Sequence, residues 1–226
     1  MRKVVCWHDL FTGHRVYSAT AGSNVGHVWK VTDTSSAGTP TYIPIDAATD
    51  SNGGLAVAFD STNEIQNVCV NFADVLMWDI DRLIDVNFRV KMNQAAVNAA
   101  TSFAFGLSGD RNDAIDSIAQ HASFRVIGAD STTALVVESD DGTTDKDDIS
   151  TGTTLINAYK NFKISFANGT SDVRFFVDGQ PVAESTTFNM SAYTNCLQPY
   201  FQLQKTAATA TDGFSVCYVE ANMRLY

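Results

Sequence analysis

Apolar and polar residues alternate with a period of two through most of the chain, in runs broken by Gly, Asn, Asp and Ser. No window keeps the i, i+3, i+4, i+7 spacing of an amphipathic helix over three turns, so the pattern predicts strands. The clearest run is 81–92 (DRLIDVNFRVKM), in which Ile84, Val86, Phe88, Val90 and Met92 interleave with Asp85, Asn87, Arg89 and Lys91. The apolar set is expected to face a core. Residues 27–32 predict the first clear strand, and 34–42 a turn-rich connection. Residues 54–60 put Leu55, Val57 and Phe59 on one face and are expected to return through Ser61-Thr62-Asn63 as a hairpin with 65–72. Strands are predicted again at 102–107, 121–127 and 134–138, with a short helix within 109–120. Asn168-Gly169 and Asp178-Gly179 are tight-turn signals that join 162–166, 172–177 and 181–183 into a meander. Residues 197–204 and 214–224 complete the series, and Pro199 assigns the former to an edge or a bulge.

About 12 strands at short intervals with little helix predict an all-β, two-sheet antiparallel sandwich rather than βαβ units. No linker or fixed-period repeat divides the chain, so 27–226 is expected to form one domain. Residues 1–26 stand apart as an N-terminal arm or edge segment, because they alternate poorly yet carry Val4, Val5, Trp7, Leu10 and Phe11. That many large apolar groups argue against a disordered tail and make these five residues candidates for binding a partner, with an edge strand on the chain's own sandwich as the competing reading.

The formal charge is −10, from 15 Lys and Arg against 25 Asp and Glu, and no segment gathers basic residues, which argues against nucleic-acid binding. The first residues carry charge but no apolar run of signal-peptide length, so synthesis in the cytoplasm without secretion is expected. No apolar stretch is long enough for a membrane-spanning helix. Cys6, Cys69, Cys196 and Cys217 lie far apart without C-x-x-C spacing and are expected to be free, mostly buried thiols.

The densest polar feature, 138–148, holds six carboxylates in eleven residues. Asp140, Asp141, Asp145, Asp147 and Asp148 are the candidate calcium ligands within it, although the spacing is not that of an EF-hand. The preferred reading is a solvated acidic turn that keeps an edge from pairing, with no cofactor required. Paired carboxylates for glycoside hydrolysis are expected as an E-x-D-x-x-E pattern on one strand, and the nearest approach is Asp79-x-Asp81, which lacks the third acid. The histidines lack H-E-x-x-H spacing, no G-x-S-x-G is present, and Trp7, Trp29 and Trp78 read as core residues before sugar-stacking ones. The chain is therefore expected not to be an enzyme.

The segments DRLIDVNFRVKM, SFAFGLSGDRNDAID, VESDDGTTDKDD, NFKISFANGTSDVRFFVDGQPV and LQPYFQLQKTA, from Leu55 onward, resemble the concanavalin A/laminin-G-like jelly roll met in tailed-phage genomes. The resemblance implies a structural virion protein, foremost a capsid decoration or cement protein that binds the major capsid protein or another virion protein as a homo-oligomer. A carbohydrate-binding module on a tail or fibre is the alternative, and a sandwich-fold glucanase the remote one.

Overall fold

In the computed structural model, residues 4–11, 29–45 and 53–225 are described. Along them run β1 (Val4–Asp9), β2 (Lys30–Asp33), β3 (Thr41–Pro44), β4 (Leu55–Ala58), β5 (Glu64–Asn71), β6 (Trp78–Asp79), β7 (Leu83–Met92) and β8 (Thr101–Ser108). After a 3-10 turn at Ile115–Ser117 come β9 (His121–Ile127), β10 (Ala134–Asp140), β11 (Asp145–Thr154), β12 (Lys160–Ser165), β13 (Arg174–Val177), β14 (Gln180–Val182), β15 (Cys196–Ala208) and β16 (Gly213–Arg224). They form two antiparallel sheets of eight strands, the sandwich that the alternation predicts. The first sheet runs β14-β13-β12-β7-β16-β4-β3, and β1 lies beside the far end of β16; the second runs β11-β10-β9-β8-β15-β5-β2, with β6 beside β15. Strands that the alternation does not single out are short, as β3 and β6 are, or polar on both faces, as β11 is, and period-two reasoning needs length and contrast.

The core lies between the two inner faces. Phe88, Phe162, Phe175 and Phe214 come from the first sheet, and Phe103, Phe105, Phe124 and Phe201 from the second. Phe105 meets Phe162 edge to face at 4.8 Å and stacks on Phe124 at 5.4 Å, arrangements that the ring quadrupole favours. A second aromatic group, Trp7, Phe11, Trp29, Phe72 and Trp78, closes one end, so all three tryptophans pack inside or against the core.

Five expectations need correction. Residues 54–72 are not a hairpin, because β4 pairs with β3 and β16 in the first sheet while β5 pairs with β2 and β15 in the second. The connection between them crosses the sandwich. Pro199 is not on an edge strand, since β15 is flanked on both sides; it sits where the flank switches from Leu197↔Trp78 to Tyr200↔Asn71, between two ladders. On β7, Leu83 is buried and Ile84 only half-buried, because the pairing with β16 skips Ile84 and shifts the alternation. The acidic stretch is not a free loop, since Asp140 ends β10 and Asp145–Thr154 form an edge strand. All four thiols are free, but Cys6 is exposed and Cys196 half-buried, so the buried pair is Cys69 and Cys217.

β1 pairs with β16 from Val4↔Arg224 to Asp9↔Val219. Trp7 and Phe11 turn inward, while Val4, Val5 and Leu10 remain exposed. The rest of the predicted arm, 1–3 and 12–26, together with His27, lies outside the described residues.

Candidate functional site

On the outer face of the second sheet, the segment between β8 and β9 folds back over the central strands. The buried amides of β15 hold it there: Gln198 Nε2 donates to the Gly109 carbonyl at 2.8 Å, and Gln202 Nε2 to that of Asn112 at 3.0 Å. Ile115 and Ile118 pack on Ala104 and Tyr200 beneath them. The cover stops short of β9, β10 and β11. A cavity of about 260 Å³ opens there, walled on one side by Asp116 and Ile118 of the covering segment.

Alternation supplies the floor. Ala122, Phe124 and Val126 of β9 and Leu135 and Val137 of β10 point into the core, so His121, Arg125, Glu138 and Asp140 point out and line the cavity. β11 supplies the far wall through a bulge. Pairing steps from Val137↔Ile149 to Ser139↔Lys146, so Glu138 alone faces both Asp147 and Asp148. Asp148 takes a left-handed backbone, φ 52°, a conformation that aspartate tolerates better than most residues. The bulge brings its carboxylate to Glu138.

The electrostatics centre on Glu138, 3% exposed, and Arg125, 7% exposed. Arg125 Nη1 donates to Glu138 Oε1 at 3.0 Å, and Nη2 pairs with Asp116. Burial works against the ionised form of Glu138, but His121, whose Nε2 lies 3.6 Å from Oε2, the neighbouring carboxyl of Asp148 and the charge of Arg125 outweigh it and hold the carboxyl down to about 2. The hydrogen bond to Glu138 then pushes Asp148 up to about 7, with its partial burial and the charge of Glu138 adding to the effect. Of the two acids, Asp148 is the one that holds a proton below about pH 7. His121 is 8% exposed; burial disfavours its charge, yet the neighbouring Glu138 raises its pKa overall. Its Nδ1 lies 2.9 Å from the Ile118 carbonyl, whereas Nε2 makes no hydrogen bond and has Glu138 Oε2 3.6 Å away.

Of the sequence candidates, Asp140, Asp145, Asp147 and Asp148 meet at this cavity. Asp141 does not: its Oδ1 accepts the N–H groups of Thr143 at 2.9 Å and Thr144 at 2.6 Å, and Oδ2 that of Ala192 at 2.9 Å, which makes it a turn brace. Among the described residues no three His, Cys, Asp or Glu side chains stand in a metal-ligating arrangement. Asp79 Oδ1 accepts the Asp81 N–H at 3.1 Å, so that pair forms a local turn and not a cleft. Val4, Val5, Trp7, Leu10 and Phe11 belong to the other sheet and its aromatic end. Sequence reasoning missed Glu138, His121, Arg125 and Asp116. The signals were present as Glu138-x-Asp140, following Leu135 and Val137, and as His121-x-Ser123-x-Arg125, interleaved with Ala122, Phe124 and Val126.

The sequence matches no protein-family model and no curated protein. Solved structures do share the architecture. The carbohydrate recognition domain of Emp47p superposes with a TM-score of 0.58 at 10% identity, covering 93% of this chain and 94% of its own. A laminarinase from Flavobacterium sp. UMI-01 gives 0.58 at 14% identity, covering 97% and 99%. A carbohydrate esterase from the Shiga toxin-encoding bacteriophage phi24B gives 0.51 at 12% identity, covering 92% and 98%. At such identities the likeness concerns architecture: the chain has the concanavalin A-like sandwich fold shared by lectin domains and glycan-active enzymes.

Proposed function

We propose that the chain is a non-catalytic glycan-binding domain whose ligand sits in the cavity over β9, β10 and β11. One observation carries this reading: a concave, water-accessible pocket brings together a buried ion pair and a histidine nitrogen without a hydrogen-bond partner. Such convergence of polar groups with perturbed protonation is the mark of a binding or active site. The lectin and glycan-active proteins of similar fold support the choice of ligand. Binding is favoured over hydrolysis because Glu138 and Asp148 are hydrogen-bonded to each other, whereas a glycosidase holds its acids about 5–10 Å apart across the scissile bond. Screening the full chain on a glycan array, with and without EDTA, tests this. Specific hits that weaken in Asp140→Asn and Asp147→Asn are expected, and an array with no hit refutes the proposal.

A second reading, compatible with the first, keeps the chain as a virion component seated on a capsid or tail. It is supported by the exposed Val4 and Val5 on β1, with Leu10 just beyond it, and by the phage esterase of similar fold. Co-sedimentation with capsids and mass spectrometry of purified virions are expected to detect the protein; its absence from both removes this reading.

A further inference from the structure

Of the cavity's walls, β11 is the most weakly held. Among the described residues it pairs with β10 alone, and register shifts at Leu135/Val136 and Val137/Ser139 cut that ladder into three short pieces. The later pieces are anchored. Ile149, the one large apolar side chain of the strand, packs against the core, and Thr151 Oγ1 donates to the Leu135 carbonyl at 2.7 Å. The first piece has only the pairs Asp140↔Asp145 and Ser139↔Lys146. Its acids, moreover, meet other acids. The bulge sets Asp148 beside Glu138, which is 3% exposed, and Asp145 interacts with Asp147 along the same wall. Carboxylates in contact repel when both are ionised, so each contact favours a proton.

The surrounding charges do not relieve this. On β9, Arg125 has Nη1 on Glu138 and Nη2 on Asp116 of the covering segment, and His121 Nε2 lies 3.6 Å from Glu138. Asp140 on β10 and Asp130 after β9 are further acids, while Lys146 alternates away from the cavity that Asp145 and Asp147 line. We propose that residues 145–148 form a pH-operated flap, closed on β10 while Asp148 is protonated and released at the bulge once Asp148 ionises beside Glu138. Asp148, pushed up to about 7 by its hydrogen bond to Glu138 and by burial, sets the window: the closed form is favoured at low pH, and that advantage is lost as pH rises from the ordinary 3.8 to 7. Asp145, raised by burial and by Asp147, acts in the same direction. A glycan cavity whose far wall loosens with pH is the consequence that rests on the glycan-binding reading; the flap itself does not.

Hydrogen exchange of the full chain at pH 5 and pH 8, with each rate divided by the intrinsic rate of a free amide, tests the flap without a ligand, so its failure leaves the glycan reading standing. Protection of the 145–148 amides is expected to fall at least about ten-fold between the two, as the loss of one proton across that window allows. At pH 8 their exchange should also be insensitive to low urea, the mark of local opening, whereas exchange in β13 should quicken with it. In Asp148→Asn, whose side chain cannot ionise and suits the left-handed backbone, the fall should largely disappear. Equal protection at both pH values overturns the proposal. Exchange of 145–148 that quickens with urea as steeply as that of β13 overturns it as well, since the opening is then global. A fall undiminished in Asp148→Asn overturns the assignment to Asp148.

Discussion

Replacing Arg125 with Met removes the guanidinium from between Glu138 and Asp116 while keeping much of its volume. In the native protein Glu138 is held at about 2 against an ordinary 4.5, and at 1.36 kcal/mol per pH unit its ionised form is favoured by about 3 kcal/mol. That stability is present above pH 4.5 and is lost as pH falls toward 2. Without Arg125, a carboxylate only 3% exposed keeps its charge beside Asp148 and has only His121, 3.6 Å away, to balance it. Breaking such a buried pair costs about 3–5 kcal/mol, which a domain with a total of roughly 5–15 kcal/mol can lose and stay folded. The sign then reverses with pH. Burial lifts the Glu138 pKa in the variant, so it takes up a proton in the folded state and regains stability as pH falls. Urea denaturation of both proteins at pH 8, 6.5 and 5 should give a difference of about 3–5 kcal/mol at pH 8 that narrows at pH 5. Adding Glu138→Gln to the variant should recover part of the loss at pH 8. A loss below about 1 kcal/mol at pH 8, or one that is the same at all three pH values, refutes the electrostatic account of this pair.

Three further outcomes are expected. Phe88→Ala should cost about 3–5 kcal/mol in a denaturant titration through lost burial and a cavity, since the ring is 1% exposed between the sheets. Asn87→Ala should cost less, about 1–3 kcal/mol, because its amide bridges Asp85 and Glu220 at 2.9 and 3.2 Å, and equal costs would show the strand register to be wrong. Gly106→Ala should lose several kcal/mol, as a Cβ there would lie 2.4 Å from the Ala122 carbonyl oxygen at a φ of 152°, and an unchanged melting temperature would contradict that backbone. Asp148 is raised from 3.8 to about 7, so the stability that its protonation confers is present at low pH and fades as pH rises through 7. His121, also raised, acts in the same direction. The melting temperature should therefore drop between pH 6 and 8, and drop less in Asp148→Asn; identical pH profiles would count against the proton on Asp148.

How far the sequence was legible follows from what each segment says locally. β7 announces itself because Val86, Phe88, Val90 and Met92 are large, apolar and strictly alternate. The hairpins at Asn168-Gly169 and Asp178-Gly179 are readable because tight turns need positive φ, which Gly169 (90°), Asp178 (48°) and Gly179 (81°) adopt. Ser61-Thr62-Asn63 contains no such residue, and there the chain crosses between the sheets instead of turning back. Pairing across the sandwich is not a local property. The site fared likewise. Acidic residues in 138–148 stand out by density alone, but which of them converge depends on a bulge that puts Asp147 and Asp148 opposite Glu138. His121 and Arg125 come from a strand thirteen or more positions away, and only sheet order brings β9 beside β10.

The two outer faces differ in how their acids are satisfied, which bears on where the proposed ligand would sit. On the first sheet, Asp85 and Glu220 are carboxylates on neighbouring strands, and Asn222 Nδ2 donates to both at 2.9 Å. Asn87 Nδ2 bridges the same two acids, and the Tyr218 hydroxyl donates to Glu220. Although partial burial works against its charge, Glu220 is thereby held below the ordinary carboxylate range. A ligand entering the 310 Å³ depression beside Asn87, Lys163 and Tyr218 would have to offer donors to acids that already have them. On the second sheet the acid beside Glu138 is another acid. Asp148 holds a proton there below about pH 7, and His121 Nε2 lies 3.6 Å from Glu138 Oε2. A donor arriving there would displace that proton, whereas on the first sheet it would displace formed charge-assisted bonds, each worth about 1.5–3 kcal/mol. On that count the proposed ligand is better accommodated over β9, β10 and β11, the region that the segment between β8 and β9 leaves uncovered.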